Sequence, residues 1–332
     1  VRWRTLLATL AGGGLLIWLV FETGVVQVAR AAVRLGPWGL AAILIFQLAL
    51  VVIMAAAWAL LGRVREAVPF RGFLWGRLAR DAVSQALPFT QVGGVVVGSR
   101  ALVLEGAKGD VAIASTISDL STEFVSQIVF VALGGGLLAW LRPHSHLGRP
   151  ILAVTAVLAL MAGAMVAAQI WGAKWIEPAF RRLLGGMAGA GGAAPVAEAS
   201  RAIARRPWRI VGACALHLAA WLLAAVQTWL TLRFLAVPVS LGGAVVLDSL
   251  TAGVKAVAFF VPASLGVQEG MLILVGAIFG VAPSAALALS LVRRARDLLI
   301  GVPTLGSWRL RHGARIWRAA PTPVTAPHAG GA

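Results

Sequence analysis

The chain has 332 residues, of which 60% are hydrophobic and 12% charged, with a formal net charge of +17. No soluble domain can carry that much apolar surface, so the sequence reads as an all-α integral membrane protein, a polytopic helical bundle. The single cysteine, Cys214, excludes disulfide frameworks, Cys-rich zinc sites and haem motifs, and the lack of Asn excludes N-glycosylation.

In chain order, Leu6 to Phe21 is the first apolar run and follows Arg2 and Arg4. It reads as an uncleaved span. A signal peptide cut after Ala31 is the weaker alternative, because Phe21 lies too far from that site and Arg30 flanks it. Pro37 to Leu61, Val111 to Leu141, Ile151 to Trp171, Ile210 to Leu235 and Ser284 to Trp308 are the other runs long enough to cross ~30 Å of hydrocarbon, which makes about six full spans. Two further regions are apolar but interrupted. Residues 81–97 contain Pro88 and Gly93-Gly94, and residues 241–280 contain Pro262, Gly266 and Gly270. Broken backbone at membrane depth is tolerated only where protein or a cavity satisfies it, so each region reads as a re-entrant hairpin.

These elements divide the chain into a first membrane half, 1–171, a basic loop, 172–209, a second membrane half, 210–308, and a tail, 309–332, read as disordered. If each hairpin returns to the side it came from, twenty Lys and Arg fall on one side and four on the other, which puts both termini in the cytoplasm. Basic residues gather at the ends of apolar runs. That pattern indicates topology control and contact with anionic lipid at the cytoplasmic face, with no nucleic-acid partner; no protein partner is legible.

The halves also match each other at a separation of about 170 residues. Pro37-Trp38 pairs with Pro207-Trp208, Ala67-Val68-Pro69 with Ala236-Val237-Pro238, Asp81 with Asp248, Pro88 with Pro262, and Glu123 with Asp297. The span opening at Pro37 and that opening at Pro207 run in opposite directions in this topology, so the repeat is inverted. Such a repeat is a transporter architecture, with its site near the midplane where broken helices meet.

Ionisable residues inside the apolar runs mark that site. Asp119 and Glu123 lie four apart on one helix face, nine to thirteen residues into their span. Arg293, Arg296 and Asp297 lie at the equivalent depth in the last span, where Arg293 and Asp297 are spaced for an i,i+4 pair and Asp119 or Glu123 offers an interhelical partner. The alternative makes Met271 to Val292 the span and these charges interfacial. Gln268 and Glu269 sit at the second hairpin's tip, where the carboxylate can hold a head group, cap the half-helix, or do both. Arg77 and Arg80 read as cytoplasmic anchors, whereas Asp81 is a site candidate because Asp248 repeats it. Lys255, on one face with Asp248, can equally pair locally or touch a substrate. His217 reads as a hydrogen-bonded core residue, and the Trp residues near span ends, Trp58 among them, as an aromatic belt. Neither a P-loop, nor HExxH, nor GxSxG occurs, and no cofactor or metal site is expected.

Pro262, Gly266, Val267, Glu269 and Gly270 in the spacing PxxxGVxEG, with an earlier Arg-rich segment, Leu87-Pro88 and Gly93-Gly94, resemble the flippase-like family built on the transmembrane region of lysylphosphatidylglycerol synthases. The resemblance covers roughly residues 5 to 310. The run ALALSLVRRARDL from Ala286 to Leu298, then Gly301-Val302-Pro303, is similar to its hopanoid-biosynthesis-associated branch. The resemblance implies lipid translocation or presentation across the bacterial cytoplasmic membrane, with hopanoid as the lipid of that branch. Bifunctional members add a soluble aminoacyl-transfer domain. The longest extramembrane segment here, about 172–209, is too short for one, so synthase activity is not expected. The rival readings are a membrane-embedded lipid-modifying enzyme, with Glu269 or Asp119 as general base, and a non-catalytic scaffold of a lipid-synthesis complex. Movement would be passive or proton-coupled, with Glu123, Glu269 or Asp297 as carriers.

Overall fold

The computed structural model describes residues 25–63, 68–86, 90–143, 193–258 and 266–316, with isolated positions at 150, 153, 156, 157, 159, 160 and 264. Among the described residues the chain is helical and contains no strand. The helices are α1 (Val25–Gly62), α2 (Phe70–Ala86), α3 (Thr90–Leu104), α4 (Gly109–Leu141), α5 (Ala193–Ala204), α6 (Pro207–Phe234), α7 (Leu241–Val257), α8 (Val267–Ile278) and α9 (Pro283–Ile316). The expected spans at 6–21 and 151–171, Pro88, Pro262 and the end of the tail lie outside the described residues, apart from the isolated positions.

Local chemistry sets several boundaries. Gly36 interrupts α1 with φ 72°, a conformation open to Gly without a Cβ penalty, and Pro37 restarts the helix where its missing N–H costs nothing. Pro207 opens α6 in the same way. The Ser240 side chain caps α7 by accepting the Gly243 N–H at 3.1 Å.

Leu35–Gly62, Gly109–Leu141 and Pro207–Phe234 are long and apolar enough to cross a membrane. Their outward faces carry Ile45, Leu48 and Val52, then Val125, Val129 and Leu133, then Val211 and Leu222, all exposed as hydrocarbon contact requires. The expected last span, 284–308, lies within α9, which is long enough but carries Arg293, Arg294, Arg296 and Asp297. It is therefore not among those three.

The element order repeats: long helix, two shorter helices, long helix in α1 to α4, and again in α6 to α9. Packing repeats with it. Exchanging α1 with α6, α2 with α7, α3 with α8 and α4 with α9 converts each observed packing among these eight helices into an observed one, while α5 stands outside the exchange. Thus α2 on α3 becomes α7 on α8, α4 on α7 becomes α9 on α2, and α4 on α6 becomes α9 on α1, while α1 on α6 maps onto itself. Such exchange is what a two-fold relation between halves requires.

Four sequence expectations change here. The helices on either side of residues 87–89 reach beyond 81–97, since α2 begins at Phe70 and α3 ends at Leu104; the arginines of α2 made it look like a loop, and burial against acids offsets their cost. Gly93 and Gly94, read as breakers, lie inside α3, where a Gly costs only about 1 kcal/mol relative to Ala. Part of the 172–209 loop is helix α5, whose Val196, Ala199 and Ile203 are buried against α4 and α6 neighbours such as Ile113 and Ala213. Trp58 belongs to no aromatic belt: it is fully buried, edge-on to Phe73 at 5.6 Å, and its indole N–H donates to Ser115 Oγ at 3.3 Å. Trp38, Trp140 and Trp208 are exposed, as a belt requires.

Close approach holds α4 to α7. A Cβ on Gly134 would stand 1.7 Å from Ser249 Oγ, so only Gly fits this crossing.

Candidate functional site

Buried arginine survives in a low-dielectric interior only when its charge is paired and its donors are used. In the first half, α2 presents Arg77, Arg80 and Asp81 on one face toward Asp119 and Glu123 of α4. Arg77 donates Nε to Asp81 Oδ2 at 2.9 Å and its two terminal nitrogens to Glu123 at 2.8 and 2.9 Å, a bidentate fork. Arg80 donates to Asp119 Oδ2 at 2.7 Å and also to Glu123. Behind them His217 of α6, fully buried, places Nε2 3.0 Å from Asp119 Oδ1. His217 is therefore the hydrogen-bonded core residue expected from the sequence.

In the second half, Arg293 of α9 donates to Asp248 of α7 and to Thr228 Oγ1 of α6, the latter at 2.7 Å. Arg296 pairs with its neighbour Asp297 at 2.8 Å and donates to Gln227 Oε1 at 2.6 Å. Gln227 in turn donates to the Ile43 carbonyl of α1 at 2.9 Å. Lys255 of α7 donates to Gln268 Oε1 at 2.9 Å.

The two clusters join the same kinds of helix with exchanged signs. The first half puts the arginines on the short helix α2 and acids on the long helix α4; the second puts the acid on short α7 and the arginines on long α9. Repeat positions 119 and 293 are thus an acid and a base, each paired to the short helix of its own half.

Between the clusters lies a cavity of about 360 Å³. Its wall takes Arg77, Arg80 and Asp81 from α2, Glu123 and Gln127 from α4, and Gln227 and Thr228 from α6. The second half adds Asp248 and Lys255 from α7, Gln268 from α8, and Arg293, Arg296 and Asp297 from α9, while Gln47 reaches in from α1. The volume sits at the lower end of ligand pockets, room for a small polar group. Among the described residues no group of three His, Cys, Asp or Glu is placed to hold a metal ion.

Of the residues singled out in the sequence, Asp81, Glu123, Asp248, Gln268, Arg293, Arg296 and Asp297 line this one cavity. Asp119 does not; it sits behind the wall between Arg80 and His217. Glu269 also stands off the wall. Its Oε2 accepts the Gly266 N–H at 2.8 Å, and its Oε1 accepts Ser290 Oγ at 2.6 Å and Arg294 Nη2 at 2.7 Å. Ser290 also accepts Gln268 Nε2 at 2.8 Å. The carboxylate thus caps α8 and fixes, through Ser290, the amide that faces the cavity.

Three pairings differ from the sequence reading. Arg293 bonds to Asp248 and not to Asp297, because Asp297 is taken by Arg296. Asp119 and Glu123 pair with the arginines of α2, not with Arg293. Arg77 and Arg80 are buried in the site and are no cytoplasmic anchors; an Arg-rich run of low hydropathy gave no sign that acids cover it. Gln47, Gln127 and Gln227 were missed although each is an amide within an apolar run, a signal available in the sequence.

No curated protein and no solved structure matches the chain. A family model does: residues 4–303 match the lysylphosphatidylglycerol synthase transmembrane region. Three membrane-length apolar helices among the described residues fit such a region, and the chain belongs to that family of membrane proteins concerned with lipid.

Proposed function

We propose that the protein translocates a lipid across the bacterial cytoplasmic membrane, or presents it there, by holding the polar head group in the central cavity while the apolar tail stays among the outward faces of the helices. The observation that carries this is the cavity itself: nine charged side chains from both halves of the repeat face one space between membrane-length helices. Charges at that depth are costly and mark a polar pathway. Family membership supports a lipid as the ligand. The resemblance of residues 286–303 to the hopanoid-associated branch adds hopanoids to the candidate lipids. In this reading both termini are cytoplasmic, and no bond is made or broken. Glu123, Asp297 and Glu269 are each already ion-paired, so the proposal routes no proton through them and treats movement as passive.

Deleting the gene and analysing the lipids of each membrane leaflet tests this reading. The expected result is one lipid class displaced between leaflets or membranes at unchanged total amount. A missing lipid product would contradict it in favour of an enzyme, and failed assembly of a synthesis complex would contradict it in favour of a scaffold.

A further inference from the structure

Ion pairing in the cavity wall is uneven. On the α2/α4 side the wall holds two arginines, Arg77 and Arg80, and two carboxylates, Asp81 and Glu123, with Asp119 behind it. On the α7/α9 side three cations, Lys255, Arg293 and Arg296, face two carboxylates, Asp248 and Asp297, and both of these bond to arginine. Lys255 is the cation left over. Among the described residues it has no carboxylate within ion-pair distance, and its one hydrogen bond goes to the neutral Gln268 amide at 2.9 Å.

That bond fixes the lysine without neutralising it. Gln268 is held by the donation of its Nε2 to Ser290 Oγ, so its oxygen is turned to Lys255. An ammonium has three N–H donors, and two remain for whatever occupies the cavity. Arg293 and Arg296 line the same side with their partners Asp248 and Asp297, so the surplus positive charge there is that of Lys255. A compact cation with spare donors and no carboxylate partner, in a confined polar space, is suited to hold a phosphate-type anion.

We propose that Lys255, oriented by Gln268, is an anion subsite that selects lipids with a negatively charged phosphate head over lipids with a neutral hydroxyl head. The proposal rests on the head-group reading above and deepens it. It favours a phospholipid over a neutral hopanoid polyol.

The test is calorimetric titration of the purified full-length chain in detergent with dioctanoyl phosphatidylglycerol, with dioctanoylglycerol, which lacks the phosphate, and with inorganic phosphate as competitor. Lys255→Gln and Lys255→Arg are measured beside the wild type, each shown to be monodisperse. The expected result is at least tenfold tighter binding of the phospholipid by the wild type. Lys255→Gln should lose that preference, and Lys255→Arg should keep it. Competition by inorganic phosphate at concentrations equal to the lipid would support the subsite but assign it to a free anion. Equal affinity for the two lipids, or an intact preference in Lys255→Gln, would overturn the subsite and leave the head-group reading standing. Failure of the wild type to bind either lipid would overturn both.

Discussion

Replacing Asp119 by alanine is expected to cost more folded protein than any other single change in the site. Asp119 is fully buried and serves two groups at once, accepting from Arg80 at 2.7 Å and meeting His217 Nε2 at 3.0 Å. Truncation leaves Arg80 with only Glu123, and leaves the buried His217 ring without a partner at either nitrogen, since its Nδ1 already has none. Removing one member of a buried charge cluster costs roughly 3–5 kcal/mol, a large part of the ~5–15 kcal/mol that holds a fold together. The yield of monodisperse protein from detergent extracts and its thermal midpoint should fall sharply. Asp119→Asn keeps one acceptor and should fall less. Wild-type yield and midpoint in Asp119→Ala would show that Arg80 does not depend on this carboxylate.

The second large effect is a rescue. Asp248→Ala leaves Arg293 uncompensated, and Arg293→Ala leaves Asp248 uncompensated; each should cost about 3 kcal/mol, the lower end for a buried pair, because both side chains border the cavity. The double variant removes both charges and should recover most of the lost stability. Transport should not recover, because the cavity has lost two polar walls. A double variant no more stable than the worse single variant would mean that the two residues do not compensate each other. Asp297→Ala combined with Arg293→Ala should show no such rescue, since Asp297 answers to Arg296.

Much of this site was legible because hydropathy makes ionisable residues conspicuous. Glu123, Asp248, Arg293 and Asp297 stand out within apolar runs and do converge on one cavity. Their partners were not legible. Spacing within a helix suggests i,i+4 pairs such as Arg293 with Asp297, whereas the observed choice of Asp248 depends on how α7 and α9 approach, which no local pattern encodes. Arg77 and Arg80 were misread for the converse reason: a basic segment of low hydropathy resembles a cytoplasmic loop until acids from another helix are known to cover it. The repeat was visible in the order of Pro and acidic signals, but its exchange of charge between α2/α4 and α7/α9 was not. Helix α5 was hidden by a Gly/Ala-rich composition that signals a linker, although Val196, Ala199 and Ile203 keep the three-to-four spacing of an amphipathic face.

The account's central claim is that the cavity between the two charge clusters is the path of a lipid head group. It is tested most directly in proteoliposomes carrying a trace of head-group-labelled fluorescent phospholipid, with a membrane-impermeant reductant added outside. Wild-type protein should expose inner-leaflet label to the reductant well beyond the fraction lost in protein-free vesicles. Ala224→Trp, which puts a bulky side chain into the cavity wall without replacing any ion-paired residue, should insert normally and reduce that excess at least tenfold. Wild-type vesicles indistinguishable from protein-free ones, or an Ala224→Trp protein that moves lipid as fast as the wild type, would contradict the claim.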